Sequence, residues 1–167
     1  MSDFDEKMMQ RLKRLEREVE RLQRWEKPVV GVFQNYTLSW TAATTNPSIG
    51  NAVVASRYSL IGKICTVVVS IAFGSTTTYG SGGWRFSLPL SAKNTAGINY
   101  FGVAHLRNTG ISNHERIAQI APSVSQTDIR LFIQMDDNTN NFNLDATYPF
   151  TWGNGDFIGF QITYEVE

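Results

Sequence analysis

The stretch KICTVVVSIAF, residues 63–73, decides the fold class. Ile64, Thr66, Val68, Ser70 and Ala72 alternate with Cys65, Val67, Val69, Ile71 and Phe73. Side chains that alternate with a period of two are those of a β-strand. Both sets are largely apolar, so this strand is expected either in the middle of a sheet or against a neighbouring subunit. Its strongly apolar part, ICTVVVSIAF, is half the length needed to cross a bilayer.

The same grammar extends in both directions. From Val29 onwards, short runs rich in Val, Ile, Thr, Phe and Tyr alternate with clusters of Gly, Asn, Ser and Pro. The pattern predicts strands near 33–41, 51–60, 63–73, 84–88, 98–107, 115–121, 127–135, 142–148 and 157–166. In DIRLFIQM (128–135), Ile129, Leu131, Ile133 and Met135 oppose Arg130, Phe132 and Gln134, which gives a strand with one buried face. The last run, FIGFQITYEVE (157–167), points to a sheet that closes using its C-terminal strand. So many short strands without a convincing helix make residues 29–167 an antiparallel β-sandwich or barrel.

Residues 1–28 are different in kind. They hold eight basic and seven acidic residues, half of all the charges in the chain, and no glycine; the remaining 139 residues carry all 13 glycines and 18 of the 20 aromatics. With Leu12 at heptad position a, Leu15 falls at d, Val19 at a, Leu22 at d and Met8 at d. That spacing keeps a narrow seam facing a partner helix, whereas a helix lying on its own domain shows a broader apolar face. Positions b, c and f carry Lys13, Arg14, Arg17, Glu20, Arg21 and Arg24, so the expected partner is another copy of the same helix. Arg11 at g and Glu16 at the following e pair between chains, and RLKRLE (11–16) is similar to the Arg-apolar-x-x-apolar-Glu pattern of three-stranded parallel coiled coils. The alternative is a single solvated helix, since about three heptads is short for a self-sufficient coiled coil. Pro28 is expected to stop the helix, and Trp25 at g and Glu26 at a depart from the heptad where the stalk meets the body. The expected division is a trimeric coiled-coil stalk (1–28) and a β-sandwich head (29–167).

Lys+Arg and Asp+Glu are equal at 15 each, and the body has no basic cluster. Phosphate backbones demand such a cluster, so nucleic acid is not the expected partner. The N-terminus is too charged for a signal peptide and no run is long enough for membrane insertion, so the chain is expected to be made in a cytoplasm. Cys65 is the single cysteine, which leaves stability to packing.

Several stretches bear on binding. DDNTNN (136–141) places Asp136, Asn138 and Asn140 at the first three ligand spacings of a calcium loop, but Asn141 stands where glycine is expected and Thr147 where a bidentate Glu is needed. A polar hairpin turn fits better, and no metal site or cofactor is expected. GSTTTYGSGGW (74–84) sets Tyr79 beside hydroxyls, either as an exposed sugar-contacting loop or as a structural one. YPFTWGNGDF (148–157) combines Tyr148, Trp152, Asn154 and Asp156 between the last two strands and is the best candidate ligand surface; the alternative has Trp152 folding back to cap the core. His105 and His114 have no Cys or second His at ligand spacing and read as ordinary polar residues. Among catalytic patterns there is no G-x-S-x-G, P-loop or H-E-x-x-H, and Asp136 and Asp137 are adjacent and diverge, unlike a glycosidase pair. Asn35-Tyr36-Thr37 is a formal glycosylation site that, without a secretory signal, carries no weight.

A longer pattern carries a resemblance. Trp40-Thr41 is followed by TNPSIGNAVVASRYSLIGKICTVVVSIAFGSTTTYGSGGWRFSLP (45–89), with N-P-x-x-G-N, then R-Y-x-x-x-G-K, a strand, and G-S-T-T-T-x-G-x-G-x-W-x-F-S-L-P. This quarter of the chain resembles a segment of bacteriophage tail-fibre, tail-tip and related virion-surface proteins. The resemblance implies a homotrimeric, jelly-roll-like head displayed on a virion. It implies a non-enzymatic protein that attaches to a host-surface glycan or protein and contacts other virion proteins; a capsid decoration or tail-tip component without a host ligand is the alternative. Relative to that family the chain is expected to be shorter than a whole fibre, with no long anchoring domain before the stalk.

Overall fold

A computed structural model describes residues 3–26, 31–111, 114–134 and 141–167, in two compact units, Met1–Val30 and Gly31–Glu167. The first unit is one helix, α1 (Asp3–Glu26). Leu, Glu, Arg, Lys, Gln and Met dominate it, all good helix formers, and neither Gly nor Pro interrupts it. Arg21 pairs with Glu18 one turn away, and Arg17 Nε donates to the Lys13 carbonyl at 3.1 Å. The backbone stays helical through Trp25 and Glu26. Pro28 and the side chain of Leu22 lie outside the described residues. Met8, Leu12, Leu15 and Val19 are all exposed, Leu15 to 62%.

The second unit is all-β and antiparallel. Its strands are β1 (Gln34–Asn35), β2 (Trp40–Ala42), β3 (Val53–Ile61), β4 (Ile64–Ala72), β5 (Trp84–Ser87), β6 (Gly102–Asn108), β7 (His114–Pro122), β8 (Asp128–Gln134), β9 (Asn141–Asn143) and β10 (Phe157–Glu165). They form one sheet in the order β1-β3-β4-β10-β6-β7-β8-β5-β2, with β9 also paired to β8. The C-terminal strand is therefore not an edge. β10 lies in the middle, with Phe160 opposite Val69 of β4 on one side and Ala104 of β6 on the other.

The two edge strands come from one stretch of chain. β1 and β2 are separated only by Tyr36–Ser39, which span at most about 17 Å from Asn35 to Trp40. Eight steps of about 4.8 Å would hold the edges of a flat nine-strand sheet about 38 Å apart. The sheet must curl until its edges meet, and the connecting residues bond to both. Tyr36 N donates to Ser56 O at 3.1 Å on the β3 side; Ser87 N donates to Ser39 O at 2.9 Å, and Ser39 N to Ser87 Oγ at 2.8 Å, on the β5 side. The single strand expected over 33–41 is thus two short strands on opposite edges. Of the strand expected over 142–148 only β9 forms, and β6 begins at Gly102 rather than near 98.

Curling places one set of alternate residues inside. Cys65, Val67, Val69 and Ile71 of β4 face the core with Ile158, Phe160, Ile162 and Tyr164 of β10, and Ile129 and Leu131 of β8 complete it as their alternation predicts. One end of this core is aromatic. Trp40, Phe73, Trp84, Phe150 and Trp152 interlock, with ring centroids 4.7 Å apart for Trp40–Trp84 and 4.5 Å for Phe150–Trp152. Each such pair adds about 0.5–1.5 kcal/mol beyond its buried area.

Residues 43–51 and 74–83 are laced together at that aromatic end. The Asn51 side chain accepts from Thr76 N and Thr76 Oγ1, both at 2.9 Å, and donates to Ser75 Oγ at 3.2 Å. Thr77 Oγ1 donates to Ile49 O at 2.8 Å, and Thr45 and Ser81 form a bridge. Gly80 has φ +62°, and a Cβ there would fall 2.1 Å from Thr45 O, so only glycine fits this approach.

Candidate functional site

The strand register sorts the loops into two ends. The termini of β3, β7 and β10 and the start of β6 share one end, and Gly31, where the body begins, lies beside Ser59 and Ile61 there. Loops 74–83, 109–111 and 144–156 belong to the opposite end, which carries the candidate ligand residues.

Two carboxylates shape that end. Asp145 Oδ1 accepts from Thr147 N at 2.7 Å, Thr147 Oγ1 at 2.9 Å and Tyr148 N at 2.8 Å, closing a tight turn ahead of a cis Tyr148–Pro149 bond. Asp156 is 2% exposed. Its Oδ1 accepts from Thr109 N at 2.7 Å and Thr109 Oγ1 at 3.1 Å, and its Oδ2 from Gly153 N at 2.7 Å. Asn108 reinforces the same junction, donating to Thr151 O at 3.3 Å and accepting from Gly110 N at 2.9 Å.

Two of the five expected ligand residues are buried. Trp152 is 4% exposed, packs against Phe73, Trp84 and Phe150, and donates its indole N–H to Asp145 O at 2.9 Å. It caps the core because a flat, wide indole with one donor covers more apolar surface there than any loop alternative. Asp156 is a buried loop fastener, its oxygens engaged by backbone donors. Tyr79 is half-buried, stacked on Trp84 and edge-on to Trp40 and Phe73. Burial, and secondarily the charge of Asp156, push its phenol pKa up. Its loop is hydrogen-bonded to residues 49–51. Asn154 is exposed at a turn completed by Gly155, whose φ is +85°, and Tyr148 is half-buried. The five residues share one end of the body.

The two histidines are separated: His105 lies mid-strand in β6 and His114 at the start of β7, at the same end as loop 144–156. His105 Nε2 sits 3.1 Å from Glu115 Oε2 on the outer sheet face, and the His114 ring packs 5.1 Å from Phe150. Among the described residues no three His, Cys, Asp or Glu side chains are grouped to hold a metal ion. Asp136, Asn138 and Asn140 lie outside the described residues, while Asn141 opens β9. Cys65 is buried, and burial pushes its thiol pKa up. No helix among the described residues is long and apolar enough to cross a membrane.

The outward face of β4, β10 and β6 is another feature of note. Val68, Gln161 and Val103 stand in one row, Val103 being 62% exposed, with Ile117 of β7 beside His105 in the next row. Thr66 and Thr163 join hydroxyls at 3.0 Å. This is why both faces of residues 63–73 read as apolar: one fills the core and the other is uncovered in the single chain. Lys93 Nζ and Glu165 Oε1 pair at 2.6 Å, a contact between positions 72 residues apart that no local motif announces.

No family model matches the chain, and no solved structure matches it. Over 133 residues it is 32% identical to the Mu-like prophage FluMu defective tail fiber protein of Haemophilus influenzae (strain ATCC 51907 / DSM 11121 / KW20 / Rd). The match takes in 78% of this chain and 20% of that protein, so the chain spans about a fifth of the length of the curated relative it matches.

Proposed function

We propose that this chain is a non-enzymatic bacteriophage tail-fibre component that trimerises and attaches to a host-surface component, with a glycan as the ligand class. The similarity to a tail fibre protein over 78% of the chain carries this function. In it the protein is displayed on the virion surface and contacts other virion proteins.

Two uncovered surfaces support the trimer. The stripe of Met8, Leu12, Leu15 and Val19 on α1 is exposed, as is the face bearing Val68 and Val103. Three helices in parallel would cover the first, with Leu22 continuing the seam and Arg11 and Glu16 pairing across it. Three bodies packed side by side would cover the second, in a jelly-roll-like arrangement of the curled sheet. The solution mass of the intact chain tests this: about three times 18.8 kDa is expected, and a monomer would overturn it. For attachment, an excess of the purified chain should block adsorption of the phage that carries it. Unchanged adsorption, together with no binding on a glycan array, would sink the attachment role.

A purely structural fibre or tail-tip part is the second reading, favoured by one observation. Trp152, Asp156 and Tyr79 are engaged in holding the far end of the body together, and a structural part needs nothing more of them.

A further inference from the structure

We propose that the body binds a single neutral sugar ring in a groove at its other end, between residues 93–101 and the turn joining β7 to β8. This rests on the attachment reading above and assigns it a place that the sequence did not suggest.

The groove has a volume of about 200 Å³, with Ala121 and Pro122 on one wall and Ile98, Tyr100 and Phe101 on the other. Pockets for drug-sized ligands run to about 300–1,000 Å³, so this one suits one ring of a glycan, the rest of the chain lying in solvent. Its polar groups are Lys93, Asn94, Asn99, Gln126 and the phenol of Tyr100, whose buried hydroxyl has no partner among the described residues. Lys93 is neutralised by Glu165, which leaves no net charge and favours a neutral ligand over a carboxylated or phosphorylated one. Asn94 and Asn99 are exposed and make no side-chain hydrogen bond among the described residues, in contrast to the engaged Asn51, Asn108 and Asp156 of the far end. A primary amide both donates and accepts, which matches vicinal hydroxyls.

The apolar side has the same logic. Phe101 is 65% exposed, and Ile98 beside it is also exposed. An aromatic ring set next to free amides offers a stacking face for the C–H side of a sugar. Gln126 is held rigidly at the edge of the groove. Its φ of 59° is the single positive value at a non-glycine residue among those described, in the turn between β7 and β8. Here Gln126 N and Nε2 both donate to Ser123 O at 3.0 Å and its carbonyl accepts Ala92 N at 2.8 Å, which fixes the residue at the groove.

One ring in a shallow groove binds weakly, and three copies per trimer multiplied over a particle supply avidity. Saturation-transfer NMR on the full chain with free glucose, galactose and N-acetylglucosamine tests the site. Transfer to at least one sugar is expected, reduced at least about fivefold in Phe101→Ala and in Asn99→Ala, both exposed positions whose variants should melt like the parent. Transfer that survives both substitutions, or is lost in Asn154→Ala instead, would overturn the groove while leaving glycan attachment standing. No transfer from the parent chain to any of the sugars would overturn the groove and the glycan reading together.

Discussion

The Asp156 carboxylate accepts the backbone N–H of Thr109 at 2.7 Å, across 47 positions of sequence, and so fastens the loop after β6 to the loop before β10. Its other oxygen takes Gly153 N at 2.7 Å. Asp156→Ala removes three hydrogen bonds to a buried carboxylate, two from Thr109 and one from Gly153, a loss of about 1–3 kcal/mol. Denaturant unfolding of the variant should show a lower midpoint at unchanged slope.

Trp152→Ala opens a cavity beside Phe73, Trp84 and Phe150 and should cost about 3–5 kcal/mol. Asn154→Ala, two positions on and exposed, should change stability by less than about 0.5 kcal/mol. Equal effects of the two substitutions in the same unfolding experiment would contradict the cap.

Leu15→Glu places a charge in the exposed stripe of α1. A lone helix of this length is marginal in water, so the far-ultraviolet helical signal should fall along with the trimer mass, while the near-ultraviolet tryptophan signal of the body holds. Retention of both mass and helicity would show that the stripe is not a seam.

Gly80→Ala meets two obstacles, a φ of +62° and a Cβ 2.1 Å from Thr45 O. A loss of more than about 1 kcal/mol is expected, larger than for Gly62→Ala, where φ is +60° but the space is open. Comparing the two melting curves separates close approach from backbone strain.

Alkali should unfold the body in stages. Burial pushes the pKa values of Cys65, Tyr36 and Tyr164 above their ordinary values of 9.0, 10.0 and 10.0. The folded state thus holds these protons more tightly than the unfolded chain. The stability this confers is complete below pH 9 and declines as pH rises past the unfolded values. Cys65→Ala should remove the first part of the decline and leave the part that starts near pH 10, as read from unfolding free energy against pH.

Local pattern made most of the strands legible. The alternation of residues 63–73 and 128–135 named their inward faces, and the heptad from Met8 to Val19 named a helix with one stripe. What stayed hidden depends on contacts between distant positions. Nothing local marks Tyr36–Ser39 as a bridge between the two edges of a sheet, since each flanking strand finds its partner about 20 or 45 residues away. Trp152 was ambiguous for a similar reason: an aromatic in a Gly-rich loop serves equally as a contact or as a lid, and the difference lies in Phe73 and Trp84. The groove of Asn99 and Gln126 was illegible because two separate loops build it and neither has a motif of its own.

The central place of β10 also sets the order of manufacture. During synthesis every other strand of the body emerges before it, yet without it β4 and β6 have no shared partner and the curled sheet is joined only through Tyr36–Ser39. On the ribosome the body must therefore wait for its last nine-residue strand before the gap between β4 and β6 can be closed, long after α1 has emerged.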